Sequence, residues 1–598
     1  MDTAVLKRFA QAARRQLIEQ VATKLEFVLH TDSAELRGKE KALDDLKTLI
    51  ASTSEQAVIE RVAYIWFNRF CALRFMDVNR YTRIGTVSPA EGFTQPEILQ
   101  EAKQGYFDDG IERFVDKQRV LDLLGNRTLS DDPQQEAYRL LLVAACNYYH
   151  AAMPFLFEKI EDYSELLMPD DLLSENSVLQ ATRVAIDTDS TEVETIGWLY
   201  QFYISEKKDE VFAGLKKNKK VTPEDIPAAT QLFTPHWIVR YLVENSLGRL
   251  WMLNHPDSKL IEQMAYYIKP EQQETDFLPV ASPEELKICD PACGSGHMLT
   301  YAFDLLHAIY EEQGYETREI PRLILENNLF GVEIDERAGE LAAFALVMKA
   351  CEKHRRFLRK PVQPRICVLE NIKFTDDELN EYMDAVGRDL FTQPLQDTLI
   401  QFMDSDNFGS LIRPALNDVA GIRALLEAKD MAGNMFLYKT HQKVLKALKQ
   451  ADYLSQKYHV VIANPPYMGG KGMNPALKKF AGQAYPDSKS DLFAMFIERN
   501  LELAVKYGSV AMITMQSWMF LSSYEKLRSH ILNDGTILSM AHLGARAFDS
   551  IGGEVVSTTA FVLSNHHNPE YKGAYLRLVD GMSEQEKSDM FKEAIKCQ

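Results

Sequence analysis

The sequence predicts an α/β protein: a doubly wound, Rossmann-like domain over residues 231–598, preceded by a large helical N-terminal domain and carrying a mixed insertion. Three observations predict it. From about Gln231, short apolar β-type runs alternate with amphipathic helical stretches, the rhythm of βαβ units and a mainly parallel sheet. The run 286–289 opens directly onto Asp290-Pro291-Ala292-Cys293-Gly294-Ser295-Gly296, a glycine turn leading into a helix. Before about residue 165, apolar residues recur at three- and four-residue spacing, which is helical periodicity.

A chain of 598 residues has material for three or four domains. We divide it into a helical N-terminal domain (1–165), a helical connector (166–230) and the Rossmann-like domain (231–598), with the insertion at about 374–456. The composition, 46% hydrophobic and 26% charged, is that of an ordinary soluble globular protein. No apolar run approaches the ~20 residues of a membrane helix. The first 21 residues are amphipathic and lack a secretory h-region, so a cytoplasmic location is expected. Seven cysteines stand at 71, 146, 289, 293, 351, 367 and 597; their spacing supports neither a metal site nor a disulfide framework. The net charge of −19, from 67 basic against 86 acidic side chains, argues against a simple nucleic-acid binder. DNA affinity then requires a local basic groove, or a part or partner beyond this chain.

In the helical region, Thr53 to Gln56 has capping-box spacing, followed by an apolar face of Ile59, Val62, Trp66, Phe70 and Leu73. Arg61, Arg69, Arg74 and Arg80 lie among these aromatics. Paired or solvated arginines are favoured there over a DNA-facing surface. Polar breaks at 169–171 and 187–194 flank another helical stretch ending in Lys216, Lys217, Lys219 and Lys220. That cluster reads as a solvated loop before a phosphate clamp.

In the α/β region, strands are expected at 286–289, 329–334, 366–369, 459–463, 509–514 and 559–563, with helices at 298–312 and 338–351. Ligands of such folds lie at the carboxyl ends of the strands. Gly294 and Gly296 let the backbone turn sharply and approach a ligand closely. The turn is neither a Walker loop nor the six-residue dinucleotide fingerprint. Asp290 offers a carboxylate for an ammonium group, and Pro291, Ala292 and Cys293 complete the turn. Glu333, at the end of the second strand, suits the two hydroxyls of a ribose, with Ile334 packing on an adenine ring. Asn371, after the third strand, is a candidate for the adenine edge. Upstream, Phe233-Thr234-Pro235 reads as a capped helix start, with Thr234 at the N-cap and Pro235 at the first helical position. The functional alternative is a lid over the methionine end of S-adenosylmethionine.

The run 460–463 ends in Asn464-Pro465-Pro466-Tyr467 and then a glycine-rich loop, 468–472. Two prolines remove two backbone donors and set the turn. They leave the Asn464 side-chain oxygen and the Pro465 carbonyl as acceptors. An aryl amine bonded to both has its hydrogens held and its lone pair aimed at a sulfonium methyl, so its poor nucleophilicity is offset by polarisation and alignment. Tyr467 offers a ring on which an extruded base stacks. Asp491, opening the next helix, either closes the cofactor pocket or is a plain helix acid. Phe548 is a candidate second face for the base, with a core phenylalanine as the bland alternative. No metal is expected.

The order of Phe233-Thr234-Pro235, the Asp290 to Gly296 turn, Glu333 and the Asn464 to Tyr467 tetrapeptide resembles the gamma class of amino-methyltransferases. Trp66-Phe67-Asn68-Arg69-Phe70 with Leu73-Arg74-Phe75-Met76, the segment 196–203 and residues 290–299 carry a closer resemblance, to the PglX adenine methyltransferases of BREX phage-defence systems. That resemblance covers essentially the whole chain. It implies transfer of a methyl group from S-adenosylmethionine to N6 of a flipped-out adenine in DNA, with other BREX proteins as partners. Proteins of that family continue into a target-recognition region, whereas this sequence stops at Gln598, so help in finding its adenine is expected. Three other readings stand beside it. One is a methyltransferase acting on a glutamine side-chain amide of proteins, and another a catalytically silent assembly subunit. The third, a nuclease cluster of Pro169-Asp170 with Glu206-Lys207-Lys208, is the weakest.

Overall fold

The computed structural model describes residues 3–31, 36, 38–159, 163–188, 192–217, 219–271, 274–387, 392–429, 431, 434–548 and 556–596. The chain divides into two compact units, Met1–Glu206 with Ala350–Gln363, and Lys207–Lys349 with Pro364–Gln598. No described helix is long and apolar enough to cross a membrane.

The first unit is helical. Its core is an aromatic seam between helices Thr3–His30, Glu55–Val78 and Glu194–Tyr203. Phe9 stacks on Phe67 at 5.8 Å, and Tyr203 packs on Phe67 at 4.5 Å and on Tyr64 at 5.2 Å. Ser54, one residue later than the capping-box spacing suggests, caps helix Glu55–Val78 by accepting from the Ala57 amide at 3.1 Å. Thr53 is diverted, because its hydroxyl donates to the Leu49 carbonyl (2.7 Å) at the end of the preceding helix. Arg69 and Arg74 turn inward. Arg69 is 1% exposed, lies 5.1 Å over the Trp66 ring and donates to Ser164 Oγ at 3.3 Å. Arg74 donates to the Ile186 carbonyl at 2.8 Å and to Ser88 Oγ at 2.6 Å. These two guanidiniums serve buried carbonyls and hydroxyls and do not face the surface, whereas Arg61 and Arg80 are exposed.

The stretch 166–230 is not a separate connector. Helix Glu194–Tyr203 belongs to the first unit because Tyr200 and Tyr203 fill its aromatic seam. Residues 207–230 belong to the second unit, where Val221 donates its amide to the Gly472 carbonyl at 3.1 Å. Nor does a nuclease cluster form. Asp170 is held by Lys24 (2.7 Å) and Arg139 (2.6 Å), Glu206 by Arg14 and Arg15, and Lys208 by the Gln231 carbonyl.

The second unit is built on an eight-stranded sheet in the order β3-β2-β1-β4-β5-β7-β6-β8. Its strands are β1 (Ile288–Asp290), β2 (Leu329–Glu333), β3 (Arg365–Val368), β4 (Tyr458–Ala463), β5 (Ala504–Met515), β6 (Thr536–Gly544), β7 (Thr558–Ser564) and β8 (Ala574–Arg577). From β3 to β5 every pairing is parallel, whereas β7 runs antiparallel to both β5 and β6. The chain crosses from one side of β1 to the other between β3 and β4. The carboxyl ends of β1 and β4 are therefore neighbours, with Ile288 opposite Val460 and Cys289 opposite Val461. This is the switch point at which doubly wound folds open a crevice.

Between β3 and β4 the chain is helical and packs on the β2–β3 edge. Leu379, Tyr382, Leu395, Leu399, Val444 and Leu448 share a core with Val332, Cys367 and Leu369. The six cysteines at 71, 146, 289, 293, 351 and 367 are buried and free; Cys597 lies outside the described residues.

Candidate active site

β1 delivers Asp290 to the switch point, 2% exposed, where one carboxylate oxygen accepts from the Ala292 amide at 3.1 Å. The turn then needs two left-handed residues. Gly294 has φ +52° and Gly296 φ +83°. A Cβ on Gly296 would stand 3.0 Å from Ala342 Cα, so glycine there satisfies both the dihedral and the packing. His297 opens helix His297–Glu312 immediately after the turn.

β2 ends at Glu333, whose carboxylate laces the second strand to the turn. One oxygen accepts from the Gly294 amide at 2.7 Å, and the other from the Ile334 and Asp335 amides at 2.9 and 3.0 Å. An ionised carboxylate has about four acceptor positions, so one is left for a ligand hydroxyl. Burial, opposed by these amides, pushes Glu333 up to about 7. Burial, with the neighbouring Glu333 charge adding to it, pushes Asp290 up to about 8. Among the described residues no cation pairs with either acid.

The segment ahead of helix His236–Val243 does something its sequence did not announce. Pro235, not Thr234, occupies the N-cap position, and no side chain caps the helix. The Thr234 hydroxyl faces the tetrapeptide instead, accepting from Asn464 Nδ2 at 3.0 Å, while the Leu232 carbonyl accepts from the same nitrogen at 3.1 Å. Two acceptors fix the orientation of the Asn464 amide. Between them, Phe233 packs edge-on against the His297 ring at 4.2 Å.

The Asn464 oxygen points the other way, where the Tyr467 hydroxyl donates to it at 2.9 Å and lies 3.1 Å from the Ile513 carbonyl. Among the described residues no hydrogen bond occupies the Pro465 carbonyl. Tyr467 is half-buried, with its edge on Phe493 at 6.1 Å. Asp491 caps helix Leu492–Leu503 and also accepts from the Met468 amide at 2.9 Å, pinning the chain just past the tetrapeptide. Burial, opposed by these amides, pushes Asp491 up to about 6.

Two expected residues stand apart from this cluster. Asn371 is exposed, and its side-chain oxygen accepts from the Asp406 amide at 3.1 Å. Phe548 is buried, 4% exposed, and no described ring contact joins it to Tyr467.

Sequence reasoning missed three contributors. His297 packs against Phe233, and its Nε2 is buried with no hydrogen-bond partner among the described residues. Its position directly after the glycine turn was the available signal. Ser410, from the insertion, donates to the Pro291 carbonyl at 2.5 Å, and Gly409 packs on Ile334. Arg499 locks that contact by donating to the Ser410 and Ile412 carbonyls, each at 3.0 Å. The insertion therefore walls the glycine turn, which no local pattern revealed.

Residues 327–548 match the Eco57I restriction-modification methylase family, and residues 280–367 the DNA-methyltransferase domain of MmeI. Fold and site thus define a Rossmann-like domain of the methylase class. The adenine-specific methyltransferase BrxX of Escherichia coli O9:H4 (strain HS) is 41% identical, over 99% of this chain and 53% of that protein. The adenine-specific methyltransferase PglX of Lacticaseibacillus casei (strain Zhang) is 37% identical, over 100% of this chain and 53% of that protein. Among solved structures, a DrdV–DNA complex matches with TM-score 0.42 at 14% identity, over 95% of this chain and 45% of that one. The chain belongs to the BrxX/PglX family of adenine-specific methyltransferases, and it spans about half the length of these relatives.

Proposed function

We propose that the second unit transfers a methyl group from S-adenosylmethionine to N6 of an adenine extruded from DNA. It acts in the cytoplasm as the catalytic part of a phage-defence methyltransferase of the BREX kind, with further BREX proteins as partners. The observation that carries this reading is the seating of Asn464 beside the glycine turn. β4 pairs with β1, and Thr234 and Phe233 tie the Asn464 amide to the start of the helix that follows the turn.

The residues present fit the cofactor. Asp290 is a buried acid and Glu333 a half-buried one, both without a described cation, a deficit met by a ligand bearing an ammonium and a sulfonium. The free acceptor position of Glu333 suits a ribose hydroxyl, and Ile334 and Phe233 offer apolar surface for the rest. When bound, S-adenosylmethionine supplies an electrophilic methyl group. Asn464 Oδ1 and the Pro465 carbonyl accept the two hydrogens of the adenine amine and hold its lone pair in line. The fixed amide orientation means those acceptors need no reorganisation during the reaction. Tyr467 receives the face of the base. Pro466 keeps the turn rigid.

Replacing Asn464 with alanine is expected to abolish N6-methyladenine while S-adenosylmethionine still binds. Single-molecule sequencing of host DNA, with the neighbouring genes present, reads the first; calorimetry reads the second. Methylation undiminished by Asn464→Ala would overturn the assignment.

A further inference from the structure

The lysines at 216, 217, 219 and 220 play no part in the chemistry above, yet the fold brings their segment to the mouth of the site. The Lys220 ammonium donates to the Lys471 carbonyl, and the Val221 amide donates to the Gly472 carbonyl at 3.1 Å. Asn474 Nδ2 closes the junction on the Val221 carbonyl at 3.4 Å. The loop so gripped begins directly after Tyr467. Its other side is held by Asp491 on the Met468 amide (2.9 Å) and by the Gly470 amide on the Ser490 carbonyl (3.1 Å). Lys471 is the fourth residue after Tyr467, so their Cα atoms lie within ~14 Å of each other.

Lys216, Lys217, Lys219, Lys220 and Lys471 are all exposed. Among the described residues none of the five pairs with a carboxylate; Lys207 nearby does, with Asp225 at 3.2 Å, and is not counted. On a chain of net charge −19, five ammonium groups without a described carboxylate partner, on two segments joined at Lys220 and Lys471, concentrate positive charge there. A base drawn into the Asn464 site leaves its own and adjoining phosphates at that mouth, where fixed positive charge holds them.

We propose that these five lysines, joined from two chain segments across the 468–474 loop, clamp the phosphates of the DNA strand whose base enters the site. This rests on the DNA reading proposed above and adds the backbone contact that an acidic protein needs. Lys220 also has a structural bond, so the informative variants spare it.

The test measures affinity of the full chain for an adenine-containing duplex between about 50 and 300 mM salt. The proteins compared are wild type, the triple variant Lys216→Gln, Lys217→Gln, Lys219→Gln, and the single variant Lys471→Gln. Each lost phosphate contact lowers the slope of log affinity against log salt by about 0.9. The expected fall is therefore about 2 to 3 for the triple variant and about 1 for the single one, with S-adenosylmethionine affinity unchanged. Wild-type slopes in both variants, with duplex binding intact, would overturn the clamp and leave the DNA reading standing. A wild-type chain that binds S-adenosylmethionine but no duplex at any salt would overturn both.

Discussion

The Tyr467 hydroxyl lies 2.9 Å from Asn464 Oδ1 and 3.1 Å from the Ile513 carbonyl, with one proton to give. It therefore takes one of the two acceptor positions of the oxygen proposed to receive the substrate amine, and has the Ile513 carbonyl as a second acceptor to turn to.

This separates two functions of Tyr467. Tyr467→Phe keeps the ring and frees Asn464 Oδ1, so kcat/KM is expected to stay within about threefold of wild type. Tyr467→Ala removes the stack, worth ~1–3 kcal/mol, and is expected to lose roughly 5- to 150-fold in kcat/KM. Steady-state methylation of an oligonucleotide duplex reads both. Equal losses in the two variants would show that the hydroxyl, not the ring, matters.

Proton linkage follows from the buried acids. Asp290 moves from an ordinary 3.8 to about 8, and Glu333 from 4.5 to about 7, both chiefly through burial. Between those values the folded, ligand-free protein keeps protons that the unfolded chain has released. The stability these groups contribute is present below about pH 4 and is lost as pH rises through about 8. Asp290→Asn should flatten the decline of Tm with pH. A cationic ligand pairs with the ionised acids, so S-adenosylmethionine affinity should rise from about pH 6 to 8 with proton release. Calorimetry in two buffers of unequal ionisation enthalpy measures this, and a flat affinity profile would sink it.

His297 is held neutral. Burial, with His236 nearby, pushes its imidazole down to about 3, and its Nε2 has no partner among the described residues. His297→Phe keeps the ring and removes the orphan nitrogen, so the ligand-free protein is expected to gain ~1–3 kcal/mol. Cofactor affinity should fall about tenfold, consistent with one lost hydrogen bond of ~1.4 kcal/mol. Denaturant unfolding and calorimetry check the pair of effects. A stabilised variant with undiminished cofactor affinity would remove His297 from the binding site.

The two glycines of the turn should respond differently to alanine. Gly294 has open space around a Cβ, so Gly294→Ala costs ~1–2 kcal/mol for its dihedral, with the larger loss in cofactor affinity. At Gly296 the same substitution adds a 3.0 Å approach to the Ala342 backbone, and a greater loss of stability is expected. Urea midpoints of the two variants give the order directly. Equal midpoints would contradict it.

Much of the second unit was legible because its signals are local. The runs at 329–334, 366–369 and 459–463 became β2, β3 and β4 within a residue or so, and the glycine turn fell where it was expected. β6 and β8 were not foreseen. β6 carries Ser539 and His542 within an apolar run, and β8 is a four-residue strand at the sheet edge. Both owe their conformation to the strands they pair with, not to their own pattern. Thr234 misled for a related reason. A threonine before Pro235 is a sound cap by local rules, but Asn464, 230 residues away, supplies a competing donor.

The sequence by itself determined the chemical groups: a turn only glycine can make, acids at two strand ends, and Asn464-Pro465-Pro466-Tyr467 with its rigid acceptors. These follow from backbone dihedrals and side-chain chemistry, which act within a few residues. Tertiary structure alone decided how those groups are aimed and what surrounds them. It turned the Asn464 amide by bonds to Leu232 and Thr234, set Ser410 of the insertion against Pro291, buried Arg69 and Arg74, and fastened Lys220 to the loop after Tyr467. Each is a hydrogen bond or burial between segments apart in the chain, available only once those segments have packed together.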